Sequence, residues 1–121
     1  MYAPSYYQPT SVDHLAEVIV RVASEFPTTP IIYYHIPRMY KFYFPCSEIL
    51  SRANAQCPNV RGAKFTETDM EDLRRCCELG FNMLSGDDKF VDQGYATGAD
   101  GTVGAAHNFH GPLLAEIRAK A

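Results

Sequence analysis

The sequence predicts an α/β fold in which one helix precedes four strand–helix units. Three observations carry this. Apolar residues recur at steps of three and four over 10–26. Four short β-branched or aromatic runs begin near 31, 60, 81 and 101, and helical segments lie between them. Successive runs are about 20 to 30 residues apart, enough for right-handed crossovers between parallel strands. Periodicity alone leaves open whether such a sheet is open or closed into a barrel.

The first helix spans 10–26, with Val12, Leu15, Ile19, Val22 and Phe26 on one face. Thr10 or Ser11 suits its N-cap and Asp13 its positive end, and Pro27 and Pro30 stop it. The run Ile31 to Ile36, between Pro30 and Pro37, reads as a short buried strand. Residues 46–56 form a weaker helix with Ile49, Leu50 and Ala53 together, ended by Pro58. Val60 to Thr66 is the second strand. Thr66 to Leu79 is the third helix, with Thr66 or Thr68 as cap and an acidic start at Glu67, Asp69, Glu71 and Asp72. Arg74 and Arg75 lie near its end, and Met70, Leu73 and Cys77 form its inward stripe. Gly80 stops it. Phe81 to Ser85 is the third strand, Asp87 to Thr97 a helix weakened by Gly94, and Gly101 to Ala106 the fourth strand. Leu113, Leu114 and Ile117 begin the last helix.

Composition narrows the function classes. The 121 residues fit one domain, 46% are apolar, and the net charge is −3 with both signs mixed. No basic stripe suggests nucleic acid, and no apolar run approaches the ~18 residues of a membrane span. No secretory signal is evident at the start. Cys46, Cys57, Cys76 and Cys77 have no metal-site spacing and read as free thiols of a reducing, cytoplasmic compartment. His107 and His110 form a lone H-x-x-H, a weak pattern more typical of a surface loop. No metal is expected.

Two residues stand out by position. Catalytic groups of β/α barrels sit at the C-terminal strand ends. Tyr34 lies at the end of the first strand and Lys64 near the end of the second, between Ala63 and Phe65. An ammonium in an apolar strand is costly to bury, which favours the neutral, nucleophilic amine. A tyrosine beside such a lysine can act as general acid and base. The alternatives are a lysine that snorkels out of the strand and a tyrosine that packs as a rim aromatic.

Tyr33-Tyr34-His35-Ile36-Pro37 resembles the tyrosine motif of the N-acetylneuraminate lyase family. Arg61-Gly62-Ala63-Lys64-Phe65-Thr66, followed by Thr68-Asp69, is similar to that family's Schiff-base lysine segment. Leu84-Ser85-Gly86-Asp87-Asp88 resembles its substrate loop. Gly98-Ala99-Asp100-Gly101-Thr102-Val103-Gly104, with Asn108 beyond, is similar to its last barrel strand. Ala3-Pro4 and the following helix fit the end of the fourth strand and its helix. Residues 1–121 thus resemble a single partial (β/α)8 TIM barrel, from the end of strand four through strand eight. The resemblance implies a class I aldolase without metal or organic cofactor. Lys64 forms the Schiff base with sialic acid, Tyr34 takes the proton from the C4 hydroxyl, and N-acetylmannosamine and then pyruvate leave. It also implies substrate contacts from Thr66, Gly86 and Asp88, the last suited to accept hydroxyl hydrogen bonds or to cap the next helix. Family members are usually tetramers, so self-association is implied.

Two further readings stand beside this one. The same motifs resemble dihydrodipicolinate synthase, with His35, Phe65 and Thr66 favouring the lyase. A non-catalytic half-barrel, acting as an interaction subunit, is the third. Lys89 stands where the lyases usually carry glutamate, and Ala105 where a serine is usual. The 121 residues contain nothing similar to the Gly-Thr-rich loop that holds the substrate carboxylate. A misplacement of one ångström costs up to ~100-fold in rate. The 121-residue polypeptide also leaves strand edges and an inner face unpaired. It is therefore expected to aggregate or to dimerise when expressed alone. Sedimentation would reveal this, and a monodisperse, cooperatively melting monomer would contradict it.

Overall fold

A computed structural model describes residues 8–120, so the reading of Ala3-Pro4 lies outside the described residues. Helix α1 spans Val12–Glu25, β1 Ile31–His35, α2 Pro37–Tyr40, α3 Cys46–Gln56 and β2 Val60–Phe65. Helix α4 spans Met70–Glu78, β3 Asn82–Ser85, α5 Val91–Thr97, β4 Gly101–Thr102 and α6 Gly111–Lys120. The four strands form one parallel sheet in chain order, β1-β2-β3-β4. Sequential parallel order with a helix in each connection is the arrangement of a partial TIM barrel.

Alternation along the strands separates two faces. Ile31, Tyr33, His35, Ala63, Phe65, Met83 and Ser85 are buried against the helical layer. Tyr34, Lys64 and Leu84, one step out of phase, are half-buried on the open face. The core joins Leu15, Ile19, Ile49, Leu50, Leu73 and Met83, all at zero exposure. At about 25 cal/mol per Å² of apolar area, this face supplies the main drive to fold.

Three helix starts, those of α1, α3 and α4, have side-chain partners. Ser11 caps α1, its hydroxyl accepting from His14 N–H at 3.1 Å. Phe26 falls just beyond that helix and is 55% exposed, so it leaves the predicted stripe. Asp69 caps α4 by accepting from Asp72 N–H at 3.0 Å, which corrects the expectation of Thr66 or Thr68. The helix starts four residues later than predicted because Thr66 still belongs to the sheet. Thr66 N–H donates to His35 O at 2.8 Å. The inward stripe of α4 is Leu73 with Cys76, while Cys77 is only half-buried. Burial pushes the Cys77 thiol up to about 11.

Asp72 does unexpected work. Its carboxylate is 5% exposed and accepts from Cys46 N–H at 2.6 Å, Ser47 N–H at 3.3 Å and the Ser47 hydroxyl. The side chain thus leaves its own helix and caps the start of α3, where the preceding Pro45 offers no cap of its own. Asn59 makes a second tie. Its amide donates to Ala23 O, Phe26 O and Thr29 O at 2.9–3.1 Å, pinning the turn between α1 and β1 to the start of β2.

The remaining departures are local. Helix α2 was not foreseen. Pro37 presets its first turn, and Lys41 closes it in the left-handed region at φ 59°. The segment 87–97 divides into a 3-10 turn at Asp88–Phe90 and α5. Gly94 does not merely weaken α5. A Cβ there would lie 2.6 Å from Ser85 Cβ and Oγ, so its absence lets the helix press on β3. The fourth strand is two residues long rather than six. Past Thr102 the backbone turns into a 3-10 segment at Ala105–Asn108. At Gly62 a Cβ would lie 1.8 Å from Asn82 O, so the β2–β3 approach requires glycine.

Asp72→Ala is expected to destabilise the protein by ~2–4 kcal/mol, because buried donors at the start of α3 lose their acceptor. Urea unfolding at neutral pH measures it.

Candidate active site

The β1–β2 register sets Tyr34 opposite Lys64, and the β2–β3 register sets Lys64 opposite Leu84. All three therefore share the open face at the C-terminal ends of their strands. Lys64 Nζ lies 3.2 Å from Tyr34 Oη and 4.3 Å from the centre of its ring. The ladder continues beyond the formal strands through Thr66 N–H to His35 O and Gly86 N–H to Phe65 O, both 2.8 Å. Those two bonds carry the pairing on to Thr66 and Gly86, one same-face step beyond Lys64 and Leu84.

Thr66 Oγ1 is buried and has no hydrogen-bond partner among the described residues. A buried hydroxyl without a partner costs ~1–3 kcal/mol. A ligand oxygen on the open face would relieve that cost. Gly86 stands directly against it, since a Cβ there would lie 2.2 Å from Thr66 Oγ1 and 2.9 Å from Lys64 Cε.

Asp88 is placed less simply. Asp87, not Asp88, caps the following turn by accepting from Lys89 N–H at 3.0 Å. Asp88 Oδ2 accepts from Ala106 N–H at 3.1 Å, and its Oδ1 lies where a side chain on Gly104 would sit. Its carboxylate therefore ties the β3–α5 loop to the segment after β4. The structure joins Tyr34, Lys64, Thr66 and Gly86 in one cluster, with Asp88 at its rim. His107 does not enter the cluster. Its Nε2 meets the Thr102 hydroxyl at 2.8 Å, on the helix-facing side with Tyr95 beyond.

Behind the pair, on the helical side, His35 is 3% exposed and stacks on Phe65 with centroids 5.3 Å apart. Burial pushes its imidazole down to about 4, against the opposing pull of Asp72 and Glu67. Tyr33 Oη lies 3.4 Å from His35 Nδ1, and burial holds the Tyr33 phenol well above its usual range. His35 is thus a neutral packing group whose carbonyl positions Thr66. Its burial behind the sheet is a tertiary property that the sequence does not display.

Similarity to known proteins follows this geometry. The Dihydrodipicolinate synthetase family model matches residues 1–121, the whole chain. The chain belongs to that family. N-acetylneuraminate lyase of Gallus gallus is 39% identical over 113 residues, covering 90% of this chain and 37% of the relative. N-acetylneuraminate lyase A of Xenopus laevis is 34% identical over 118 residues, covering 96% and 39%. Among solved structures, Proteus mirabilis N-acetylneuraminate lyase superposes with TM-score 0.86 at 31% identity, covering 93% of this chain and 39% of that one. Dihydrodipicolinate synthase from Aquifex aeolicus gives TM-score 0.83 at 25% identity, covering 97% and 40%. The chain spans about two fifths of the length of the curated relatives it matches. Its family kinship supports a lyase-type fold in which four of the βα units are present.

A pH consequence follows from His35. An imidazole near 4 when folded and near 6.5 when unfolded leaves the unfolded chain binding more protons between those values. Its contribution is complete above pH 6.5 and is lost as pH falls toward 4. Between pH 7 and 4.5 the loss is on the order of 2–3 kcal/mol. His35→Phe should remove that part of the slope in urea titrations, and an unchanged slope would contradict the assignment.

Proposed function

We propose that these residues form the Schiff-base half of an N-acetylneuraminate lyase, corresponding to the end of strand four through strand eight of its barrel. The observation that supports this best is the 3.2 Å contact between Lys64 Nζ and Tyr34 Oη at adjacent strand ends. An amine beside a phenol is the pair that imine chemistry needs.

In this reading Lys64 adds to the C2 carbonyl of open-chain N-acetylneuraminate, and loss of water gives the iminium. Tyr34 accepts the proton of the C4 hydroxyl. As the C4 carbonyl forms, the C3–C4 bond breaks; its electron pair becomes the C2=C3 double bond while the C=N pair moves onto nitrogen, giving an enamine. N-acetylmannosamine departs. Protonation at C3 and hydrolysis of the iminium then release pyruvate and regenerate the amine. The lysine is the electron sink, so the reaction calls on no metal or organic cofactor.

Thr66 has the free hydroxyl to meet a substrate oxygen, and Gly86 opens the space beside it. Asp88 would face the polyhydroxyl tail while holding the loop after β4. Lys89 replaces an acid with a base at that rim and would alter tail affinity. Identity reaches 39% to a lyase, against 25% to the Aquifex synthase, and this supports the lyase over the synthase reaction. The open face and the unpaired edges of β1 and β4 would be covered by self-association or by the remaining barrel strands. Four free cysteines suit a cytoplasmic setting. No described helix is long and apolar enough to cross a membrane.

Borohydride trapping with pyruvate, read by peptide mass spectrometry, tests the reading. The expected result is a reduced adduct on Lys64, lost in Lys64→Ala, with sialic acid cleavage slowed ~100-fold or more in Tyr34→Phe. A folded protein that traps nothing would instead support a non-catalytic half-barrel.

A further inference from the structure

Gly62, Gly86 and Gly94 each face close neighbours, and the neighbours differ in kind. A Cβ at Gly62 would strike main chain, at 1.8 Å from Asn82 O, 2.6 Å from Asn82 C and 2.9 Å from Asn82 N. Backbone in a ladder yields only if the strands part. A Cβ at Gly94 would strike Ser85 Cβ and Oγ at 2.6 Å, where a helix presses on a strand. At Gly86 the obstacles are a hydroxyl and a long flexible stem, whereas at Gly94 one of them is a Cβ fixed directly to the strand. Those at Gly86 are Thr66 Oγ1 at 2.2 Å, Lys64 Cε at 2.9 Å and Lys64 Cγ at 3.0 Å.

The contrast has a physical consequence. Lys64 Cε lies near the end of a four-carbon stem, which swings between staggered rotamers at little cost. Among the described residues, Thr66 Oγ1 has no hydrogen bond to lose by turning. Filling the space at Gly86 therefore disturbs where these two groups point far more than it disturbs the fold.

We propose that Gly86 is a positioning residue whose missing side chain fixes the Lys64 stem and the Thr66 hydroxyl. Gly86 touches no reacting atom in this role; it acts through Lys64. The space beside it selects the stem conformation that brings Nζ to 3.2 Å from Tyr34 Oη. It also leaves Thr66 Oγ1 beside the Lys64 stem. The catalytic meaning of this rests on the aldolase reading above, whereas the placement of the amine can be measured without it.

The test compares Gly86→Ala with Gly94→Ala and Lys64→Ala in the full chain. Competitive acetylation across pH, read by peptide mass spectrometry, reports the Lys64 amine against Lys41, Lys89 and Lys120 as internal references. Thermal melting reports the fold, and pyruvate–borohydride trapping reports the chemistry. Gly86→Ala should melt cooperatively close to wild type. Its Lys64 acetylation should shift at least about threefold relative to the other lysines, and trapping should fall ~10- to 100-fold. Gly94→Ala should lower the melting temperature without moving the Lys64 profile. An unchanged Lys64 profile in folded Gly86→Ala overturns the proposal. Loss of the fold in Gly86→Ala also overturns it, since Gly86 would then be a packing position like Gly94. If wild type traps no pyruvate, the aldolase reading fails, and the acetylation profile still decides the role of Gly86.

Discussion

Parallel pairing of β1, β2 and β3 in one register is the constraint on which the rest of the molecule depends. Side chains alternate with a period of two, so a slip of one residue would turn Lys64 into the helical layer and Phe65 out to the open face. The register instead stacks Tyr33, Ala63 and Met83 in the core and Tyr34, Lys64 and Leu84 on the other side. Core burial and site geometry are thus one choice. The apolar residues that drive folding also hold the amine and phenol within hydrogen-bond reach.

The helical layer keeps that register by non-local ties. Asp72 joins α4 to the start of α3, and Asp100 Oδ2 accepts from Met83 N–H at 2.8 Å beside β3. Surface ion pairs such as Arg74 with Glu71 contribute little beside these, because both partners are exposed. The polar ties that matter are few and directed at the backbone: Asp72 and Asp100 accept from N–H groups, and Asn59 donates to carbonyls.

Much of this was legible in the sequence, for definite reasons. Pro30 and Pro37 bracket β1, and Ile49, Leu50 and Ala53 repeat with helical spacing, so those elements were plain. Tyr34 and Lys64 were legible by their places near strand ends. Asp72 was not. It stands among Glu67, Asp69 and Glu71, all equally suited to a helix start, and its true partners lie 25 and 26 residues away. Thr66 was ambiguous because a threonine can cap a helix or end a strand, and only its bond to His35 O decides between them. The fourth strand was read too long because small, glycine-rich residues carry no alternation to mark where pairing stops. Gly94 read as a weak point since sequence shows the missing side chain but not Ser85 behind it.

The clamp at Asn59 has a consequence of its own. Three carbonyls around the first connection share the two protons of one amide, and α1 also packs along α3. Helix α1 is therefore held to the body of the molecule by tertiary contacts, independently of the covalent link through Thr28 and Thr29. A nick at that exposed turn would leave two pieces still joined by these contacts. Chain continuity and structural integrity are separable at this one point.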